Sequence, residues 1–153
     1  MSKPRIKTGF QTHVIDAKWT VTHIVATHLW MEHLLIRSLT AVLARPAALF
    51  ARRQPSFSQL IDLAEAIDVI EPDFAVVLRC ANSLRNKYAH HLSFEPNAKE
   101  IEALRKALRE MKRPFLIDMR PPTEESVMSA LASISGRLEK RARELKATDI
   151  DAV

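Results

Sequence analysis

From about Asp16 to about Arg45 the chain contains no glycine and no proline, and its apolar residues recur every three to four positions. Nothing in that stretch interrupts a backbone hydrogen-bond ladder, so it predicts one long helix. Pro46 ends it, because a proline has no N–H to continue the ladder. After a basic linker through Arg52, Arg53, Gln54 and Pro55, Ser56 and Gln59 have the spacing of a capping box. They open a short second helix with Phe57, Leu60, Ile61, Ala64 and Ile67 on one face. Pro72 suits the first turn of a third helix running to about His90 or His91, where its missing N–H costs nothing.

Asn97 followed by Glu100 repeats the capping pattern before a charged fourth helix. Its apolar positions Ile101, Leu104 and Leu108 make one narrow stripe, which predicts a surface location. Pro114, Pro121 and Pro122 make residues 112–122 an extended connector, with Phe115, Leu116 and Ile117 expected to pack onto the helices. A last helix starts near Thr123, carries Val127, Leu131, Ile134 and Leu138 on one stripe, and ends in frayed residues near 147.

No segment reads as a strand, and no internal repeat is present. With only two glycines, 47% hydrophobic and 6% aromatic residues in 153, the expectation is a single all-α domain over 1–153. It would be a four- to five-helix up-and-down bundle with an aliphatic core over about 16–112 and a C-terminal helix over about 123–147. His28, Glu32, His33 and Arg37 interrupt the longest apolar run, which excludes a membrane-spanning helix. The basic stretch Met1 to Gly9 leads into no apolar signal core, and Cys80 is the lone cysteine. Both features point to a cytoplasmic protein whose thiol packs in the core. The net charge of +5 suits contact with a polyanion.

Two charged residues break the apolar pattern. Val25, Leu29, Glu32, Ile36, Leu39 and Leu43 follow one another at steps of four and three, which puts Glu32 inside a buried-looking stripe. The third helix steps likewise through Phe74, Leu78, Ala81, Arg85 and Tyr88. An unpaired charge in a core costs several kcal/mol, so Glu32 and Arg85 are expected to approach one another. Their pairing would either fix helix register and do nothing more, or hold a guanidinium fork at a cleft where it can also grip phosphate. His90 lies five positions beyond Arg85, a rotation of about 140° on an ideal helix. The two converge only if the helix loosens near Ala89 or a second subunit completes the site. A histidine at a helix C-terminus also serves simply as a favourable dipole partner.

The run Leu84-Arg85-Asn86-Lys87-Tyr88-Ala89-His90-His91, with Glu32 upstream, resembles the Arg-Asn-x-x-x-His signature of the HEPN superfamily, and is also similar to the mannitol-operon repressor-like proteins. The similarity covers roughly residues 16 to 112. It implies a HEPN-like helical bundle, commonly a homodimer, whose active members are metal-independent endoribonucleases of the toxin or defence type. By that resemblance Arg85 would stabilise the phosphorane, and His90, or its neighbour His91, would act as general acid or base. Asn86 and Glu32 would orient them, Lys87, Tyr88 and His91 would touch substrate, and RNA would be cut to 2′,3′-cyclic phosphates. No cofactor and no metal are implied. A cognate antitoxin or a regulatory protein is a further implied partner, and the repressor-like relatives imply a non-catalytic regulatory role as the alternative.

His23, His28 and His33 recur every five residues, whereas a helical metal site needs three or four, so they read as solvated or satisfied histidines. Trp19 and Trp30 read as core or interface anchors. The cluster Arg137, Lys140, Arg141 and Arg143 reads as the solvated end of a helix.

Overall fold

The long glycine-free stretch forms α1 (Ala17–Val42) of a computed structural model that describes residues 17–90, 94–95 and 97–146, with side chains from residue 21 onward. Five further helices follow: α2 (Pro46–Phe50), α3 (Phe57–Ala66), α4 (Pro72–His90), α5 (Lys99–Arg109) and α6 (Glu124–Glu144). Every regular element among the described residues is thus a helix, with α2 standing where the sequence predicted a plain linker. Pro46 opens α2 as its first residue instead of merely closing α1, as its fixed φ and missing N–H permit.

The predicted capping box is present. Gln59 N–H donates to Ser56 Oγ at 3.3 Å and Ser56 N–H to Gln59 Oε1 at 2.9 Å. Thr123 and Ser126 form a second box at the head of α6. The cap of α5, by contrast, is Ala98 with no side-chain hydrogen bond, so Asn97 does not cap it. Helix α5 lies at the surface as expected, with Lys99, Glu102, Lys106 and Arg109 exposed. Its stripe Ile101, Leu104 and Leu108 is buried together with Ala107, and the helix packs along α4.

Helix α3 ends in a Schellman turn. Val69 N–H donates to Ala64 O at 2.8 Å and Asp68 N–H to Glu65 O at 3.2 Å, with Asp68 in the left-handed region at φ 57°. An aspartate tolerates that conformation better than most residues. Arg79 of α4 then grips Asp62 and Glu65 of α3 at 2.8 and 2.5 Å, a partly exposed clamp worth about 1 kcal/mol at most.

Helix α1 packs chiefly on α6, and also on α3 and α4, while α4 bridges α3 and α5. The buried stripe of α1 is only in part the one read from the sequence: Leu39 is buried and Ile36 and Leu43 pack against the core, but the centre of the buried face lies elsewhere. Ile24, His28, Met31, Leu35 and Ser38 face the core, while Leu29 is 58% exposed. The stepping is identical but begins one residue earlier, which turns the helix by about 100°. This rotation puts Met31 inside and leaves Glu32 half-buried at the flank. Its cost is two neutral polar side chains in the core, and each is satisfied: Ser38 Oγ donates to Leu34 O at 2.8 Å, and His28 has a partner on α4. Burying a lone carboxylate would have cost more than burying two hydrogen-bonded neutral groups. The expected stripe of α4 is closer to the outcome, with Phe74, Leu78, Ala81 and Tyr88 buried and Arg85 half-buried.

In the connector, Phe115 and Ile117 lie against the core, but Leu116 is fully exposed and Met119 is buried in its stead. Cys80 is half-buried, and burial raises its thiol pKa. None of the described helices is long and apolar enough to cross a membrane.

Candidate active site at the α1–α4 seam

Successive turns of α4 present Asn82, Arg85 and Asn86 toward or beside α1, because steps of three and four keep residues on one side of a helix. Opposite them, α1 contributes His28 and Glu32, one turn apart. His28 Nε2 lies 3.1 Å from Asn82 Oδ1, and its ring rests on Phe57 of α3 at 4.3 Å between centroids. His28 sits in the field of both charges at the seam. Burial lowers its pKa most, the Asn82 hydrogen bond opposes this, and Arg85 lowers it while Glu32 raises it. The imidazole is therefore held neutral.

Arg85 does not pair with Glu32. Its Nη1 donates to Asn86 Oδ1 at 3.0 Å, and its Nε is buried without a hydrogen-bond partner among the described residues. Glu32 instead accepts from Gln54 Nε2 at 3.2 Å. The expected ion pair is thus corrected to two neighbouring charges, each held by a neutral amide. The physical reason is the rotation of α1, which moves the carboxylate out of the core stripe to its flank, within reach of the α2–α3 connection. A guanidinium without a carboxylate partner keeps its charge available to an anion.

His90 is exposed at the last position of α4. The helix stays regular to that residue, so His90 and Arg85 point to different sides of it, about 140° apart. The loosening near Ala89 that would bring them together within one chain does not occur. Lys87 is committed to Glu95 and Glu100, at 3.1 and 3.9 Å, which compensates the charge expected to meet a substrate. Tyr88 is buried and stacks on Phe94, with ring planes 5° apart. Its hydroxyl pKa is pushed up to about 12, chiefly by burial; the backbone of Glu95 opposes this, and the carboxylates of Glu124, Glu95 and Glu100 add to it. Tyr88 is therefore a core residue with almost no surface for a ligand, contrary to the contact role expected of it. His91 and the side chain of Trp19 lie outside the described residues.

His33 stacks on Trp30, 5.3 Å between centroids. Among the described residues no group of three or more histidine, cysteine or acidic side chains is placed to hold a metal. His28, read from the sequence as a solvated or satisfied histidine, is satisfied by Asn82, but neither it nor Asn82 nor Gln54 was placed at the site. The available signal was spacing: His28 precedes Glu32 by four residues and Asn82 precedes Arg85 by three, so each singled-out charge already had a polar neighbour on its own face. Compared with known proteins, the chain matches no family model, no curated protein and no solved structure.

Proposed function

We propose that the chain is a HEPN-type endoribonuclease that works without metal and cuts RNA to 2′,3′-cyclic phosphate ends. The observation that carries this reading is the guanidinium of Arg85, buried at Nε and oriented by Asn86, with no carboxylate partner among the described residues. The reading of Arg85 as half of a register-fixing ion pair loses its support for the same reason. In the reaction, the RNA 2′-oxygen attacks the adjacent phosphorus, its proton passes to a base, and the bond to the 5′-oxygen breaks as that oxygen takes a proton from an acid. Arg85 stabilises the added charge on the phosphorane, worth about 10² to 10³ in rate, and His90 serves as acid or base, worth about 10² to 10⁴.

One chain turns Arg85 and His90 to different sides of α4, so this reading needs a homodimer in which His90 of one copy faces Arg85 of the other. Purified protein is expected to cleave RNA in EDTA, and Arg85→Ala and His90→Ala are each expected to lose at least a hundredfold in rate while staying folded. A folded wild type that leaves RNA intact sinks the catalytic reading.

The separation of Arg85 from His90 is also the observation that favours a second reading. On that reading the domain is a non-catalytic regulatory module, similar to the mannitol-operon repressor-like proteins, in which Arg85 binds an anionic group of a partner protein. Its signature is retained binding with no cleavage.

A further inference from the structure

At the far end of α4 from the seam, a cleft of about 470 Å³ opens between α6, the α3–α4 turn and the start of the α5–α6 connector. That volume is in the range of small-molecule sites. Phe74 and Met111, both buried, form its apolar floor, and Phe74 is roughly 16 Å from Arg85 along the axis of α4 at about 1.5 Å per residue. The wall on the α6 side is cationic. The residues read from sequence as a solvated helix end, Arg137, Lys140 and Arg141, line the cleft together with Arg113, because steps of three and four put all three on one face of α6.

These cations are not equivalent. Arg141 is structural: its Nε donates to Val69 O at 2.7 Å, its Nη2 to Asp68 O at 3.2 Å, and its Nη1 lies 3.6 Å from Glu144. It pins α6 to the α3–α4 turn. Arg137 is packed in place, its guanidinium 3.7 Å from the Phe115 ring centroid and its Nη1 donating to Arg113 O at 2.9 Å. It forms no salt bridge with any described residue. Its environment lowers its pKa, mainly by burial, with Asp73 and Glu71 opposing and Arg113 adding to the effect. Arg113 and Lys140 are exposed at the rim, and neither forms an ion pair with a described residue. The carboxylates of Asp68 and Glu71 line the turn on the other side, and that of Glu144 lines the α6 end of the cleft beside Arg141, so a negative charge is directed away from these three and toward Arg113, Arg137 and Lys140.

We infer that this cleft binds a small organic anion, a phosphate or carboxylate carried on an apolar body, with the charge on Arg113, Arg137 and Lys140 and the body on Phe74 and Met111. The preorganised Arg137 fork loses little freedom on meeting a planar anion, and the two rim cations close over it. The site is separate from the α1–α4 seam and requires nothing of the nuclease reading.

The test is titration of ¹⁵N-labelled protein at low salt, following the Arg137 side-chain resonance and the amides of Val69 and Ile70. The probes are phenyl phosphate, benzoate, inorganic phosphate and benzyl alcohol. Saturable binding of phenyl phosphate, of benzoate or of both is expected, and which of them binds identifies the charged group. Inorganic phosphate should bind more weakly than phenyl phosphate, and benzyl alcohol not at all. In Arg113→Ala/Lys140→Ala, whose substituted side chains hold no part of the fold, affinity should fall about tenfold or more at unchanged melting temperature; Lys140→Glu alone should weaken binding in the same direction. The inference fails if neither organic anion saturates by on the order of 10 mM, if the alcohol binds as well as the anions, or if the variants bind like wild type.

Discussion

His28 makes the stability of the seam depend on pH. Its folded pKa lies below the ordinary value near 6.5, first because it is buried and then because Arg85 is close. The unfolded chain therefore takes up a proton at this residue at a higher pH than the folded chain does. Stability contributed by the neutral ring is complete above the unfolded pKa and falls as pH drops below about 6.5, levelling off beneath the folded pKa. The melting temperature should decline between pH 7 and pH 5, and His28→Gln, which keeps a polar side chain facing Asn82, should flatten that decline. Equal slopes for wild type and variant would show that His28 does not carry the effect. At the same scale, Asn86→Ala removes the hydrogen bond that orients the Arg85 fork. It should slow RNA cleavage by less than Arg85→Ala does, because the charge remains while its orientation is loosened.

Among the elements, α3 depends on its ends more than its length suggests. It has only ten residues, too short to be stable alone. Its Ser56–Gln59 box satisfies backbone donors at one end, and the Schellman turn at Asp68 satisfies carbonyls at the other. Ser56→Ala should cost about 1 kcal/mol in urea unfolding, within the range of about 0.5–2 kcal/mol for lost caps; no change in midpoint would mean that water replaces the cap at no cost. The box was legible in the sequence because it depends on two residues at fixed spacing. So were the Pro72 start of α4 and the Thr123 start of α6, which rest on equally local chemistry.

The facing of α1 was not legible. Stripes beginning at Ile24 and Val25 advance by the same steps and are similarly apolar, so periodicity alone cannot choose between them. The choice is made by partners distant in sequence: Asn82 lies 54 residues from His28 and accepts it into the core, which frees Glu32 to turn aside. The candidate site was legible to the same degree. Arg85 stood out as a charge on an apolar face, but its actual neighbours depend on how α1 is turned. The α6 cleft was hidden for a related reason, since its arginines are anchored by the backbone carbonyls of Val69, Asp68 and Arg113, which leave no signature in side-chain spacing.

For the whole molecule, the rotation of α1 has a consequence at its outer face. Part of the stripe expected inside now borders the outside: Leu29 is 58% exposed, Val25 is half-buried, and the half-buried Glu32 lies on the same stripe, one turn from Leu29, while Leu39 stays buried and Ile36 packs against the core. An apolar strip running up to the Arg85 seam is where a second copy must pack if it is to bring its His90 to this guanidinium, as the nuclease reading requires. Leu29→Glu should leave the melting temperature nearly unchanged, because an exposed side chain contributes within about 0.5 kcal/mol. It should also convert the protein to a monomer in light scattering and abolish RNA cleavage together with dimerisation. Val76→Glu is the control. Val76 is 47% exposed on α4, two positions before the buried Leu78 and therefore turned away from it, so this variant should stay dimeric and active. If Leu29→Glu remains a dimer that cuts RNA, the partner packs elsewhere and the seam is not completed across α1. If it becomes a monomer that still cuts RNA at the wild-type rate, one chain is sufficient and the acid or base must come from within it; His28, already beside Arg85, is then the residue to test.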